Sequence, residues 1–187
     1  MNQNFTKMAF NPSVKKVQEQ FGSRAHYERA ETGPDRYKLT SSEEGYIGSR
    51  DSFYLSSVGE NGWPYLQHRG GQKGFLKVID DCTLAMPDFS GNAQYISTGN
   101  LTANNKAMLF LTDYPTQSRL KIWVETEILD VKENPELLEV LKDKDYKAKI
   151  QRIYLFHIKA YDWNCNQHIT PRFTVDEFET VMKNQSY

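Results

Sequence analysis

Between residues 67 and 75 the chain reads QHRGGQKGF, with three glycines and two cations in the six positions from Arg69 to Gly74. Glycine removes the side chain that keeps backbone N–H groups away from a ligand, and a guanidinium or ammonium supplies the charge that a phosphate requires. The pieces of an anion site are present, yet the spacing fits neither a Walker A loop nor a dinucleotide fingerprint, each of which demands a strand-to-helix crossover. An ordinary glycine-rich connection with solvated basic residues accounts for the stretch equally well. A second cationic pair, Arg119 and Lys121, sits two residues apart in an alternating segment and so projects from one face of a strand, with Trp123 next in line. Glu125 and Glu127 share that face and leave open a plain salt-bridged surface. A third constellation, DWNCNQHITPRF at 162–173, is rich in side-chain donors and poor in apolar residues, as a site or a loop bonded to its own backbone would be. Cys165 and His168 have a C-x-x-H spacing, but no second pair offers matching ligands, so no metal is expected. No G-x-S-x-G elbow, H-E-x-x-H pair or obvious carboxylate pair occurs, which points to a bound cofactor carrying the chemistry.

The elements that must position these residues are mostly strands. From Asp51 onward the pattern alternates with period two, and SFYLSSV, WPYLQHR, FLKVID, CTLAM, AMLFLTD, SRLKIWVETEIL and RIYLFHIKAYDW carry the aromatic and branched residues that suit a pleated surface. The Asn-Gly pair in VGENGWP predicts a hairpin between the first two, since both turn residues tolerate positive φ. AMLFLTD is apolar on both faces and reads as a central strand, whereas SRLKIWVETEIL puts Leu120, Ile122, Val124 and Ile128 on one side. Helices are expected at PSVKKVQEQF, with Val14, Val17 and Phe21 on one face, and from Thr40 to near Gly48, where Thr40 and Glu43 have capping-box spacing. Others are expected at GNAQYISTGNLTANN, at NPELLEVLK with Asn134 as cap, and at TVDEFETVMK. Many short strands and few helices imply a closed or half-closed antiparallel barrel, the arrangement that best disposes of sheet edges.

The 187 residues suit one domain, divided into a helical arm (1–40), a barrel core (41–165) and a closing loop and helix (166–187). Hydrophobic residues at 39% can fill a core, and 23 cationic against 24 acidic side chains leave no broad field for nucleic acid or anionic membranes, so any anion must be held locally. Two distant cysteines, no signal-peptide pattern and no apolar run of ~18 residues make a cytoplasmic protein without a membrane partner the expectation.

Four stretches, NGWPYLQHRGGQKGFLKVID, PDFSGNAQYISTGNL, LTDYPTQSRLKIW and NCNQHITPRF, together resemble the pyridoxamine 5'-phosphate oxidase-like flavin-binding proteins over roughly residues 45 to 173. The resemblance implies a mainly β (α+β) split barrel and a homodimer with FMN in clefts at the subunit interface, acting as an oxidoreductase on a small-molecule substrate. It implies that Gln67, His68, Arg69, Gly70 and Gly71 run along the flavin, with Lys73 near the phosphate. Ser90, Asn92 and Gln94 match the family's phosphate loop, which runs into a helix whose N-terminal amides favour an anion. Arg119 and Lys121 match strand positions that reach the cofactor from across the dimer, and Gln167, His168 and Arg172 match the segment that covers the site. Trp63, Tyr65 and Trp123 are expected to shape the substrate side. Ala93 departs from the pattern, where a basic residue is more frequent, so Arg69, Lys73, Arg119 and Lys121 are left to balance the phosphate. The tail lacks the substrate-gripping pattern of the vitamin-forming enzyme, so formation of pyridoxal phosphate is not expected. The competing reading is a flavin carrier, a redox sensor or a haem binder on the same barrel, with His68 or His157 as axial ligand.

Overall fold

A computed structural model of the chain describes residues 4–184. Residues 1–3 and 185–187, the outer ends of the expected arm and closing segment, lie outside the described residues. All seven expected strands form: β1 (Ser52–Val58), β2 (Pro64–Gly70), β3 (Lys77–Asp80), β4 (Thr83–Phe89), β5 (Lys106–Asp113), β6 (Ser118–Asp130) and β7 (Ile150–Asn164). They make one sheet in the order β2-β1-β5-β6-β7-β4-β3, and every pairing is antiparallel.

Alternation decides which side faces inward. On β5 the side chains of Ala107, Leu109 and Leu111 are buried while Met108, Phe110 and Thr112 are half-buried, so this central strand has a distinct inner and outer face. On β6, Leu120, Ile122 and Val124 point in, and Ile128 packs against the same cluster with Phe53, Leu55, Leu84, Met86, Tyr154 and Phe156. Each such aliphatic or aromatic side chain contributes roughly 1.5–3 kcal/mol by leaving water. The sheet curls until β2, at one edge, meets β4, next to the other. There Arg69 pairs with Asp88 at 2.9 Å across a seam where β2 and β4 are not sheet neighbours. Phe53 stacks on Phe75 and meets Phe156 edge-on beneath that seam. The architecture is a split antiparallel barrel with peripheral helices.

Helices α1 (Phe5–Ala9), α2 (Pro12–Gln20) and α3 (Arg24–Glu31) precede the barrel. Helix α2 does not dock through the expected apolar face: Val17 and Phe21 are exposed, and the helix is tied to α3 by Lys15–Glu31 and Arg24–Gln18 contacts. Helix α4 (Ser41–Gly48) starts on the expected capping box. Helix α5 (Ile96–Ala103) is shorter than its pattern, because Ala93 and Tyr95 take left-handed φ of 58° and 53° and keep 91–95 out of the helix. Asn134 is the N-cap residue of α6 (Pro135–Leu141), its carbonyl accepting from Leu138 N–H, but its side chain makes no capping bond and donates instead to the Asp130 carbonyl. Leu141 of α6 packs on Ala85 and Ile153, covering the outer side of β4 and β7. Helix α7 (Val175–Asn184) closes the chain, with Thr174 and Glu177 bonding reciprocally at its start. The β1–β2 hairpin forms with only Gly62 of the Asn-Gly pair left-handed, at φ 82°. Among the described residues, no helix is long and apolar enough to cross a membrane.

Candidate functional site

Register sorts the singled-out residues onto opposite faces of one sheet. Arg69 pairs with Phe53 of the core, so Arg69, Gln67 and Tyr65 share the inner face of β2, while His68 pairs with Tyr54 on the outer face. Tyr65, Gln67 and Arg69 form one wall of a cleft of about 190 Å³ at the barrel mouth, here cleft one; Asp88, Asn92, Gln94, Tyr95, Thr98 and Gln151 are among the residues completing it. Arg119 pairs with Thr112 on the outer face. With Phe110, Tyr114, His168, Ile169 and Arg172 it lines a second cleft of about 270 Å³, cleft two.

Cleft one is built around a buried carboxylate. Asp88, 5% exposed, meets Arg69 at 2.9 Å and Arg152 at 3.3 Å. Burial pushes its carboxyl above the usual range, and the two guanidiniums oppose that shift. Two guanidiniums against one carboxyl leave an excess of cations over acids in this trio. Arg69 also lies over the Tyr154 ring, and its Nε is buried with no hydrogen-bond partner among the described residues. Burial likewise raises the phenol of Tyr154, which shares a 2.7 Å hydrogen bond with the Thr98 hydroxyl.

The other wall is the segment from Ser90 to Thr98. Ser90 N–H donates to the Lys149 carbonyl, and Gln94 N–H donates to Asn92 Oδ1 at 3.1 Å. Left-handed residues at 93 and 95 flank Gln94, an alternation of backbone hand that turns successive N–H groups toward one side. Helix α5 then begins at Ile96 with no side chain among the described residues capping it, and its first residues Ile96, Ser97 and Thr98 line the cleft, where uncapped first-turn donors and the positive end of a helix dipole favour an anion.

The glycine-rich turn has a different logic. Gly71 N–H donates to the Asp51 carbonyl and Gly74 N–H to the Arg50 carbonyl, so those amides are already used. A Cβ on Gly71 would lie 2.8 Å from Phe75, and one on Gly74 2.9 Å from the Gly48 carbonyl oxygen. Close packing accounts for both glycines. Gly70 ends β2 opposite Ser52, and Lys73 is exposed on the turn and does not line cleft one. Ser90 is exposed between the cleft-lining Phe89 and Gly91.

On the outer face Arg119 donates to the Cys165 carbonyl and Gln117 to the Ile169 carbonyl, which ties 165–172 across β6. Arg172 lies over the Tyr114 ring, and Gln167 is exposed on the same segment. Lys121 is engaged elsewhere, paired with Asp162 at 3.0 Å and with its ammonium 5.5 and 5.4 Å from the Phe5 and Trp123 ring centroids, beside the stacked pair. The three expected aromatics are apart: Tyr65 lines cleft one, Trp63 is exposed on the hairpin, and Trp123 stacks under Phe5 of α1. His68 packs edge-on to Tyr54, and His157 contacts Glu127.

Sequence reasoning missed Asp88, Tyr95, Thr98 and Arg152. The one available signal was an acid in the otherwise apolar strand TLAMPDF, which needs a cation once buried. Its partner follows only from the β4–β7 register, where Asp88 faces Arg152 directly.

The sequence matches no protein-family model and no curated protein. Among solved structures, a HupZ variant from Group A Streptococcus aligns with a TM-score of 0.53 at 11% identity, covering 67% of this chain and 99% of that one. HupZ itself aligns at 0.51 and 11% identity, covering 72% and 100%. A candidate pyridoxamine 5'-phosphate oxidase from Lactobacillus delbrueckii aligns at 0.51 and 18% identity, covering 67% and 94%. These likenesses show a common fold, the split barrel.

Proposed function

We propose that this chain binds FMN and works as a flavin-dependent oxidoreductase on a small molecule, with the flavin phosphate seated in cleft one. One observation carries the reading: an uncapped α5 N-terminus, entered through left-handed Ala93 and Tyr95, faces a cleft walled by Arg69. Uncapped N–H donors beside a guanidinium suit a phosphate. Asn92, Gln94 and Arg69 would hold it, with Gln67 and Tyr65 alongside the ring system. When bound, the flavin supplies two-electron chemistry that these side chains do not. A pyridoxamine 5'-phosphate oxidase candidate among the chains of like fold supports the assignment.

Cleft one, at about 190 Å³, is smaller than the roughly 300–1,000 Å³ that ligand pockets offer. A second copy completes it, bringing Arg119, His168 and Arg172 of its own cleft two against the flavin. The apolar outer face, with Tyr54, Val58 and Leu66 exposed, is the surface through which two copies pair.

The test is a visible spectrum of the purified protein before and after incubation with FMN. Two absorption bands characteristic of protein-bound flavin are expected, with bleaching on anaerobic addition of NADH or NADPH. Protein that stays colourless after incubation with excess FMN and removal of the unbound flavin removes the reading; bound colour that neither NADH nor NADPH bleaches leaves a carrier in place of an enzyme.

A further inference from the structure

We infer that Arg152, on β7, is the positioning residue that holds the 91–98 segment in its anion-binding shape; the inference rests on the reading of cleft one as a phosphate site. Left-handed backbone at non-glycine residues is strained and persists only where the surroundings impose it. Ala93 and Tyr95 both adopt it. Arg152 touches this segment twice: its guanidinium lies 4.8 Å over the Tyr95 ring, and its Nη1 donates to Thr98 Oγ1 at 2.9 Å. Asp88 holds it from behind at 3.3 Å. Thr98 in turn bonds the buried Tyr154 hydroxyl. A continuous path therefore runs from the barrel core to the loop, through a side chain that does not itself line the cleft. A planar guanidinium stacks on a ring and donates in its own plane at the same time, whereas an ammonium on a flexible stem does not, so geometry and not charge alone is what Arg152 provides.

Arg152→Gln and Arg152→Lys are both expected to lower FMN affinity by about tenfold, measured by quenching of flavin fluorescence on dialysed protein. Riboflavin, which lacks the phosphate, should bind all three proteins equally. Wild-type FMN affinity in Arg152→Gln overturns the inference, and so does full rescue by lysine, which would mean that charge alone matters. Should Arg152→Gln fail to fold by circular dichroism, Thr98→Val, which leaves the Asp88 pair intact, is expected to weaken FMN binding by about threefold; unchanged affinity there is equally fatal. A folded wild type that binds no FMN refutes the flavin reading, and Arg152 is then judged by hydrogen exchange. Amides of residues 92–98 should exchange about tenfold faster in Arg152→Gln, or in Thr98→Val should the former not fold, and equal protection overturns the inference.

Discussion

Asp88 is a carboxylate that the barrel cannot do without once its two arginines are in place. Desolvating three charges is expensive, and removing only the anion leaves two guanidiniums facing each other across the seam. Asp88→Ala is therefore expected to cost about 3 kcal/mol, read as a lowered urea midpoint; a loss below about 1 kcal/mol would mean that water, not Asp88, satisfies the arginines. Glu43 gives a second, pH-dependent case. Its Oε2 accepts from the Thr40 N–H at 3.0 Å and hydroxyl at 2.6 Å, and its Oε1 accepts from Trp163 Nε1 at 2.7 Å. Burial pushes this carboxyl up, but the hydrogen bonds from Thr40 and Trp163 outweigh it and leave the pKa below the ordinary value. A carboxylate with a depressed folded pKa adds stability that is present above its unfolded value of about 4.3 and is lost as pH falls through the folded one. The gap in urea midpoint between wild type and Glu43→Gln should be widest at neutral pH and should close in acid; a pH-independent gap would mean that ionised Glu43 is not what the hydrogen bonds favour. The capping-box half of this arrangement was legible in the sequence from the Thr40–Glu43 spacing. The Trp163 half was not, since it depends on where the end of β7 passes α4.

Strands were legible as elements from their branched and aromatic residues and, where one face is polar as in β6, from alternation. Helix boundaries were less so: residues 91–105 read as one helix although Gly91, Asn92, Asn104 and Asn105 are poor helix formers, and left-handed backbone at Ala93 and Tyr95 delays α5 to Ile96. Helices α1 and α3 gave little periodic signal because tertiary polar contacts help hold them, Asn4 to Asp35 and Ala30 for one and Lys15 to Glu31 and Gln18 to Arg24 for the other. The glycine turn was legible as a special backbone, though not in its purpose. Gly74, at φ 76°, would bring a Cβ to 2.9 Å from the Gly48 carbonyl oxygen, whereas Gly22, at φ 72°, has open space around the same position. Gly22→Ala should therefore pay only the left-handed penalty of roughly 1–2 kcal/mol. Gly74→Ala adds a backbone clash with the end of α4, and its thermal midpoint should fall further than that of Gly22→Ala by about 4 °C or more. Equal midpoints would show that the turn moves away from α4 freely.

For the whole molecule, a closed or half-closed antiparallel barrel could be read from the strands and its split form from the family resemblance, while the division of the site between two faces of one sheet could not, because it depends on which parity of each strand meets the core. Arg69 faces inward with Phe53, and Arg119 faces outward with Thr112. In a single chain they belong to different clefts, and a flavin that engages both requires two copies. In the proposed dimer the outer face of β1, β2 and β5 would supply the means: Leu66 is 61% exposed and Val58 40%, beside half-buried Met108 and Phe110. Stable homodimers bury on the order of 800 Å² per partner around such apolar centres, and an ammonium placed there must be desolvated without a partner. Leu66→Lys is accordingly expected to convert a dimer into a monomer in sedimentation equilibrium, with unchanged circular dichroism, since Leu66 makes no contribution to the inner core. Because the same substitution removes the second half-site, FMN affinity should fall with the dimer and return at protein concentrations that restore it. A monomeric variant that binds FMN as tightly as wild type would place the whole flavin site within one chain, and a variant that stays dimeric would move the interface to another face.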